Sequence, residues 1–402
     1  MIVPGPELAC ALPGARASCR MAAPTQSHTT NPTSRPHSIP SLDGLRALSI
    51  CLVLVTHVAG TRGAPIAESI NQLFDWGALG VRVFFVISGY LITHLLLTEQ
   101  TRTGAIELAR FYLRRTLRIF PPYYVYLVTV LVLGAAGVIA PQPVSALVHA
   151  FTYTTNYARA MSWELGHSWS LSVEEQFYLL WPVALALCSR RRAWIVPALA
   201  VVLCPLFRVA EFHSAHSAWV DKSFETAADA LASGCLLALF APRLRQWRAY
   251  RALQDGVWFA AVPAVVLGAL ALGRHPHLSF LAGHAFANIG IALSVHWCIV
   301  HANGRVGRVL NSRPMTALGR VSYSLYLWQE IFLNRYGTAW VNSFPANLLL
   351  ALTAAIASHY LVERPALRMR PRVERVVLGR ARTDADRAAA DERAQIINTA
   401  RT

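Results

Sequence analysis

Long apolar runs, separated by short polar segments rich in arginine, dominate the chain from about residue 42 to residue 362. Each run is close to the roughly 20 residues that an α-helix needs to cross the apolar core of a bilayer. The pattern therefore predicts an all-α, polytopic integral membrane protein with about ten transmembrane helices. These helices are expected at 42–60, 79–98, 119–138, 171–188, 193–210, 226–241, 256–273, 279–300, 315–333 and 345–362.

The distribution of basic residues orients these helices. With the N-terminus inside and ten spans, 28 of the 37 lysines and arginines fall in inner segments and five in outer loops. Cytoplasmic loops of membrane proteins carry such an excess, so both termini are expected in the cytoplasm. The apolar stretch 144–157 is another candidate span, but it would move the arginines at 190–192 to the outside. Residues 139–170 are therefore predicted to form a long outer loop.

The two ends of the chain differ from the membrane domain, which we expect to occupy residues 39–365. Residues 1–38 are rich in Pro, Ala, Ser and Thr and lack a long apolar run, so we predict a disordered N-terminal tail. Residues 366–402 are rich in Arg, Ala and Asp, again without a long apolar stripe. They are predicted to form a cytoplasmic C-terminal tail with some helix.

Composition agrees with a membrane protein and excludes several other classes. Apolar residues make up 54% of the 402 residues and charged residues 14%, whereas a soluble domain carries roughly 25% charged residues. Seven cysteines without CxxC spacing do not indicate a disulfide scaffold. The net charge of +16 resides in short loops rather than on one polar face, so no nucleic-acid partner is expected. Because no histidine pair has HxxxH spacing, we also expect no metal.

Two ionisable residues lie on one face of the first predicted helix. Arg46 and His57 are eleven residues apart, which corresponds to about 16 Å of rise and to three turns plus about 20°. Ionisable groups inside a membrane are costly, so each is a candidate for function. The alternative is a snorkelling arginine and a packed histidine that bonds a neighbouring carbonyl group. The sequence leaves both interpretations open.

The arginines that follow the second predicted helix are a second group of candidates. Arg114, Arg115 and Arg118 are spaced so that a helix presents them as one cationic patch. Arginine binds phosphate in a bidentate manner, which suits an anionic ligand. Pro121 and Pro122 follow at once and permit a local break of the helix beside a cavity. Anchoring of the helix at the cytoplasmic surface would equally account for the patch.

An acidic and aromatic cluster lies at the outer end of the fourth predicted helix. Glu174 and Glu175 directly precede an apolar run, with His167, Trp169 and Tyr178 nearby. Carboxylates in a first turn are stabilised by the N-terminus of the helix, which gives a purely structural interpretation. The same residue types are those that a sugar-binding mouth at the membrane surface needs, and the residues alone do not decide between the two.

Taken in order, these segments resemble the acyltransferase-3 family of polytopic membrane O-acyltransferases. The resemblance covers residues 39–365 and rests on an ordered set of motifs, each of which is weak alone. The motifs are SLDGLRALSICLVLVTH with its Arg-x10-His spacing, GVRVFFVISGYLI, FYLRRTLRIFPPYY, HSWSLSVEEQFYLLWP, VSYSLYLWQ and LVERP. The resemblance implies transfer of an acyl group, often acetyl from acetyl-CoA, to a hydroxyl of a cell-surface or lipid-linked glycan.

The resemblance also implies roles for individual residues. His57 is the expected catalytic histidine and Arg46 its partner on the same face. Arg115 and Arg118 match the family's Arg-x-x-Arg element, which is associated with the acyl-CoA co-substrate. Glu174 matches the family's acidic position and is expected on the outer side, with His57 between it and the arginines. The resemblance further implies that residues 39–365 form an acyltransferase domain that spans the bacterial cytoplasmic (inner) membrane and contacts its lipid.

Two questions about function stay open at the level of sequence. Some relatives carry a C-terminal esterase-like domain that assists acceptor transfer, and we expect this chain to lack one. It is therefore expected to act alone, on a smaller acceptor, or with a separate partner. A transporter of glycans or small solutes is the alternative from another class, because many spans with intramembrane Arg and His are also typical of transporters. Against it, no inverted repeat is recognisable. For catalysis, His57 as a general base and a transient acyl-histidine are both compatible with the sequence.

Overall fold

A computed structural model describes residues 39–158, 160–213 and 220–379 of the chain. These described residues are largely helical and contain no β-strand. Ten principal helices lie among them, one at each segment expected from the sequence. They are α1 (Leu42–Val58), α2 (Trp76–Thr103), α3 (Leu108–Ala135), α4 (Ser168–Leu187), α5 (Ile195–Phe212), α6 (Phe224–Leu244), α7 (Ala261–Ala271), α8 (His284–Val300), α9 (Arg313–Phe332) and α10 (Ala346–Ser358). The predicted N-terminal tail and residues 380–402 of the predicted C-terminal tail lie outside the described residues.

Six helices of the described part are long and apolar enough to cross a membrane. They are α2, α3, α5, α6, the helix Pro276–Val300 that contains α8, and the helix Ala346–Gly379 that begins with α10. The protein is therefore a multi-pass membrane protein with an all-helical fold. Helices α1 and α7 are shorter, and α4 and α9 are more polar, so the count of ten spans and the orientation of the termini stay predictions.

Several helices extend beyond their apolar stretches. Helix α3 begins at Leu108, eleven residues before the expected start, because arginine is a good helix former although it is not apolar. Pro121 and Pro122 both lie inside this helix, so the local break that they would permit does not occur. After α10, a wider turn at His359–Glu363 leads into further helix up to Gly379. The expected boundary at residue 365 thus falls within a helix.

Before α4 begins at Ser168, the described residues of the segment 139–170 form short helices at Val144–Phe151 and Trp163–Gly166, with a 3₁₀ turn at Thr155–Tyr157. Eight residues of α-helix rise about 12 Å, which is well short of the roughly 30 Å of a bilayer core. The stretch 144–157 is therefore not a membrane-crossing helix, in agreement with its prediction as part of a loop.

Helices α2 and α6 form the centre of the bundle. In their apolar windows 67% and 72% of residues are buried, against 22% in α5, which exposes its apolar side chains to lipid. The two central helices touch through their backbones: a Cβ atom at Gly89 would overlap the carbonyl oxygen of Leu231, and one at Gly234 would overlap that of Val86. Small residues permit such close approach of helices in membranes.

Helices α1 and α9 run parallel to each other, and this arrangement positions the candidate site. Near their N-termini, the backbone of Asp43 lies directly against Gly319. Near their C-termini, the side chains of His57 and Glu330 are in contact. The two contacts occur in the same order along both helices, so the helices are parallel. Because the helices are in contact near both ends, residues of α1 and α9 line one continuous interface.

Candidate active site

A cavity of about 80 Å³ lies where α1, α2, α3, α4 and α9 meet. Because one water needs roughly 10–15 Å³ by the same measure, the cavity holds several waters or a small polar group. Its lining combines aromatic and apolar side chains with charged ones. The charged residues of the lining are Arg46, Arg115, Arg118, Glu174, Glu175 and Arg320. Four cations and two carboxylates give this cavity an excess of positive charge.

Helix α3 contributes two of the predicted arginines to the cavity. Arg115 and Arg118 both belong to the lining. The guanidinium carbon of Arg115 lies 5.0 Å from the ring centroid of Tyr178 and 5.7 Å from that of Phe111. Cation–π contacts of this kind hold a guanidinium group in place without using all of its N–H donors. Arg115 is therefore fixed in position and retains donors for an anionic group.

Glu174 lies in the same cavity and accepts hydrogen bonds from two hydroxyl groups. The donors are Ser88 of α2 and Tyr178 of α4, with 2.5 Å between the phenol oxygen and Glu174 Oε1. Since α4 begins at Ser168, Glu174 is in the second turn, and the first turn contains no acidic residue. The expected first-turn position is wrong. The expected separation of Glu174 from the arginines is also wrong, because the carboxylate shares their cavity.

His57 does not line this cavity; it lies near the other end of α1 and pairs with Glu330 of α9. Its Nε2 atom is 2.9 Å from Glu330 Oε1, and its Nδ1 atom is 2.8 Å from the carbonyl oxygen of Val53. A carbonyl oxygen only accepts hydrogen bonds, so Nδ1 carries a proton, and Nε2 and the carboxyl group share one further proton. The side chain of Glu330 is 4% exposed and that of His57 is 20% exposed, so the imidazole is the accessible member of the pair.

Tyr326 lies between the cavity and the His57–Glu330 pair. Its hydroxyl is 2.6 Å from Ser170 Oγ and donates to the carbonyl oxygen of His167 at 3.0 Å, while its ring packs edge-on against Phe84. Tyr326 lines the cavity, and Glu330 follows one turn later on the same face of α9, about 6 Å further along the axis. The cavity and the pair are therefore neighbouring compartments along the α1–α9 interface.

Arg114, the third predicted arginine, has a different environment. Its Nε atom is 2.8 Å from Glu374 Oε1, and the same carboxylate oxygen is 2.8 Å from Nε of Arg370. Arg114 is absent from the lining of the cavity and its side chain is 40% exposed. The structure thus brings Arg46, Arg115, Arg118 and Glu174 together, and it places Arg114 against the helix that follows α10.

A family model described as "Acyltransferase domain" matches residues 39–364, which is most of the chain. The chain belongs to the acyltransferase-3 family. The family predicted from the ordered motifs is therefore confirmed, and the matched residues of this acyltransferase-3 chain contain both the cationic cavity and the His57–Glu330 pair.

Two curated relatives are similar to this chain over most of its length. The chain is 30% identical over 364 residues to the O-acetyltransferase OatA of Staphylococcus aureus, covering 82% of this chain and 57% of the relative. It is 27% identical over 322 residues to the peptidoglycan O-acetyltransferase OatA of Listeria monocytogenes, covering 72% of this chain and 48% of the relative. The acyltransferase-3 chain thus spans about half the length of these relatives. No solved structure matches it.

Sequence reasoning missed Glu330, although a signal for it was present. The motif VSYSLYLWQ ends one residue before Glu330, which is an ionisable group inside an apolar segment and meets the same criterion that selected Arg46 and His57. Ser88, a hydrogen-bond donor to Glu174, gave no such signal, because a lone serine in an acyltransferase-3 helix is ordinary. Among the described residues, no group of three or more His, Cys, Asp or Glu side chains is placed to hold a metal ion.

Proposed function

We propose that this protein is a membrane O-acyltransferase that moves an acetyl group from cytoplasmic acetyl-CoA to a hydroxyl of a glycan outside the bacterial inner membrane. The observation that carries the proposal is the His57–Glu330 pair on the same two helices as a cationic cavity. The names of the relatives, O-acetyltransferase and peptidoglycan O-acetyltransferase, support a peptidoglycan-like acceptor. Ten membrane spans with both termini in the cytoplasm are part of the proposal.

The acyl donor is proposed to bind at the arginines of the cavity. Coenzyme A carries several phosphate charges, and arginine recognises phosphate through paired N–H donors. Arg115 and Arg118 belong to the segment that the charge distribution assigns to the cytoplasmic face, where acetyl-CoA is made. Arg46 begins the face of α1 that leads to His57, about 16 Å further along the axis. The long pantetheine arm of the donor suits this distance.

The chemistry is proposed to take place at the His57–Glu330 pair. Once the shared proton has left the pair, the acceptor hydroxyl gives its proton to the pair while its oxygen bonds to the acyl carbon; the carbon–sulfur bond breaks, and the thiolate takes that proton from the pair. General base catalysis of this kind contributes about 10²–10⁴-fold. The buried Glu330 carboxylate compensates the positive charge of the imidazolium ring. A transient acyl-histidine, formed when a ring nitrogen of His57 leaves its hydrogen-bond partner and attacks the thioester, is the covalent variant.

The purified full-length protein in lipid vesicles tests the proposal directly. Radiolabelled acetyl-CoA is supplied on one side and soluble peptidoglycan fragments without O-acetyl groups on the other. We expect label to appear on the fragments as an alkali-labile ester. Movement of fragments across the vesicle membrane without transfer of label would contradict the proposal and would indicate a transporter.

The cavity arginines give a prediction about donor binding. Replacing Arg115 and Arg118 together by alanine should raise the KM for acetyl-CoA at least about tenfold, because each loses charge-assisted hydrogen bonds to phosphate. The measurement is initial rate against acetyl-CoA concentration at a fixed concentration of glycan fragments. Arg110→Ala on the same helix is the control, since Arg110 pairs with Glu107 at 3.0 Å and is not part of the cavity lining. An unchanged KM in the double variant would make these arginines membrane anchors.

A further inference from the structure

Trp163 connects the His57–Glu330 pair to the surface of the protein. Its indole Nε1 donates a hydrogen bond to the backbone carbonyl oxygen of Glu330 at 3.0 Å. Its ring meets the His57 ring edge-on with centroids 6.0 Å apart, and it meets the ring of Tyr336 edge-on at 5.5 Å. A row of aromatic rings therefore leads from the imidazole to Tyr336.

Tyr336 is unusually exposed for an aromatic residue, with 77% of its surface accessible. It lies in the loop between α9 and α10, where its backbone N–H donates to Asn334 Oδ1 at 2.9 Å. The N–H of Gly337 also donates to the backbone carbonyl oxygen of Asn334, at 3.1 Å. The turn thus holds the backbone of Tyr336 in place while its ring stays uncovered. An exposed ring that ends a row of aromatic rings starting at His57 is suited to bind a ligand.

Charged groups lie beside the Trp163 ring. The guanidinium carbon of Arg335 lies 5.5 Å from the Trp163 ring centroid. Its Nη1 atom is 2.6 Å from Glu68 Oε1, and its Nη2 atom donates to the carbonyl oxygen of Thr56, the neighbour of His57, at 3.1 Å. The side chain of Glu68 is 62% exposed, so its carboxylate is open to a ligand. An exposed ring and an exposed carboxylate are therefore linked to the pair through Trp163 and Arg335.

We propose that this acceptor rim, formed by Trp163, Tyr336, Arg335 and Glu68, binds a sugar ring of the acceptor glycan. The C–H face of a pyranose is apolar and stacks on an aromatic ring, whereas its hydroxyl groups bond to carboxylate and guanidinium groups. Tyr336 provides the stacking surface, and Glu68 orients the sugar so that one hydroxyl reaches the His57–Glu330 pair. The inference rests on the proposed function, because it takes a sugar hydroxyl as the acceptor.

Three replacements of Tyr336 separate sugar stacking from a role in membrane anchoring, for which interfacial tyrosines are also used. Tyr336→Phe keeps the ring, Tyr336→Leu keeps an apolar side chain without a ring, and Tyr336→Asn keeps polarity alone. Tyr157→Leu is the matched control, because Tyr157 is a 48% exposed tyrosine in the 139–170 loop, which also contains Trp163. The KM for soluble peptidoglycan fragments and the KM for acetyl-CoA are measured for each purified full-length variant.

If the ring stacks on a sugar, both the Leu and the Asn variant raise the KM for the fragments by about fivefold to tenfold. The KM for acetyl-CoA stays constant, and Tyr336→Phe and Tyr157→Leu behave as the wild type. The inference is overturned if Tyr336→Leu matches the wild type, which is the result for an apolar anchor, or if Tyr336→Phe is as impaired as Tyr336→Leu. Wild-type protein that transfers no label contradicts the proposed function itself, so the two failures are distinguishable.

Discussion

His57→Gln should lower the rate of acetyl transfer by about 10²–10⁴-fold while the protein reaches the membrane in normal amount. Glutamine still offers hydrogen-bonding groups to Val53 and Glu330, but its amide neither accepts a proton near neutral pH nor forms an acyl intermediate. The loss is therefore chemical rather than structural. The measurement is the rate of label transfer from acetyl-CoA to peptidoglycan fragments, normalised to the amount of purified protein.

His359→Gln is the matched control for this prediction. His359 also pairs with a buried glutamate, because its Nδ1 atom is 2.8 Å from Oε2 of Glu363, but it lies after α10, and Glu363 contacts α9 through Ser324 rather than through His57. It should keep nearly the wild-type rate. Transfer by His57→Gln at the rate of His359→Gln would remove His57 from the mechanism. Label bound to wild-type protein in a single turnover, and absent in His57→Gln, would favour the acyl-histidine over the general base.

Glu330→Gln should lower transfer by about 10²–10⁴-fold, comparable to other enzymes in which the carboxylate behind a catalytic histidine is neutralised. In the native pair, one proton is shared between Nε2 and the carboxyl group. An amide at position 330 donates a fixed N–H to Nε2 instead and no longer compensates a positive ring. The measurement is kcat at saturating acetyl-CoA and fragments. We expect kcat to fall and both KM values to change little.

Two further variants make the prediction for Glu330 specific. Glu363→Gln neutralises the other buried glutamate that contacts a histidine, and it should leave kcat nearly unchanged. Glu330→Asp keeps the charge at a greater distance and should recover part of the lost rate. If Glu330→Asp were no better than Glu330→Gln, the carboxylate would have only a structural role in packing α9 against α1.

The helical segments were predictable from the sequence because each contains a long apolar run. Such a run identifies a helix without any knowledge of tertiary contacts. The ends of the helices were not. Helix α3 begins eleven residues early, since the arginine-rich stretch before Ile119 is helical without being apolar. Helix α4 likewise begins at Ser168, which moves Glu174 from the first turn into the second. Hydropathy identifies the apolar part of a helix. It does not identify polar helical turns next to a cavity.

The relative positions of site residues were predictable only where the residues belong to the same helix. The shared face of Arg46 and His57 follows from helical geometry, and both side chains approach α9, where Arg46 joins the cavity lining and His57 contacts Glu330. Helical geometry does not predict which residues of two different helices will be in contact. The pairing of His57 with Glu330 joins residues 273 positions apart, and the hydrogen bond from Ser88 to Glu174 joins α2 to α4. Only the folded chain shows these contacts.

The contact of α2 with α6 through Gly89 and Gly234 restricts how these two helices can move against each other. A shift of either helix by one residue, about 1.5 Å, would push side-chain carbons into the carbonyl oxygens of the other. We therefore expect the two helices to move together as one rigid unit, which includes Phe84 of α2. Under the proposed function, the acyl group would then pass from the cavity to His57 by rotation of side chains such as Tyr326, without sliding of the central helices.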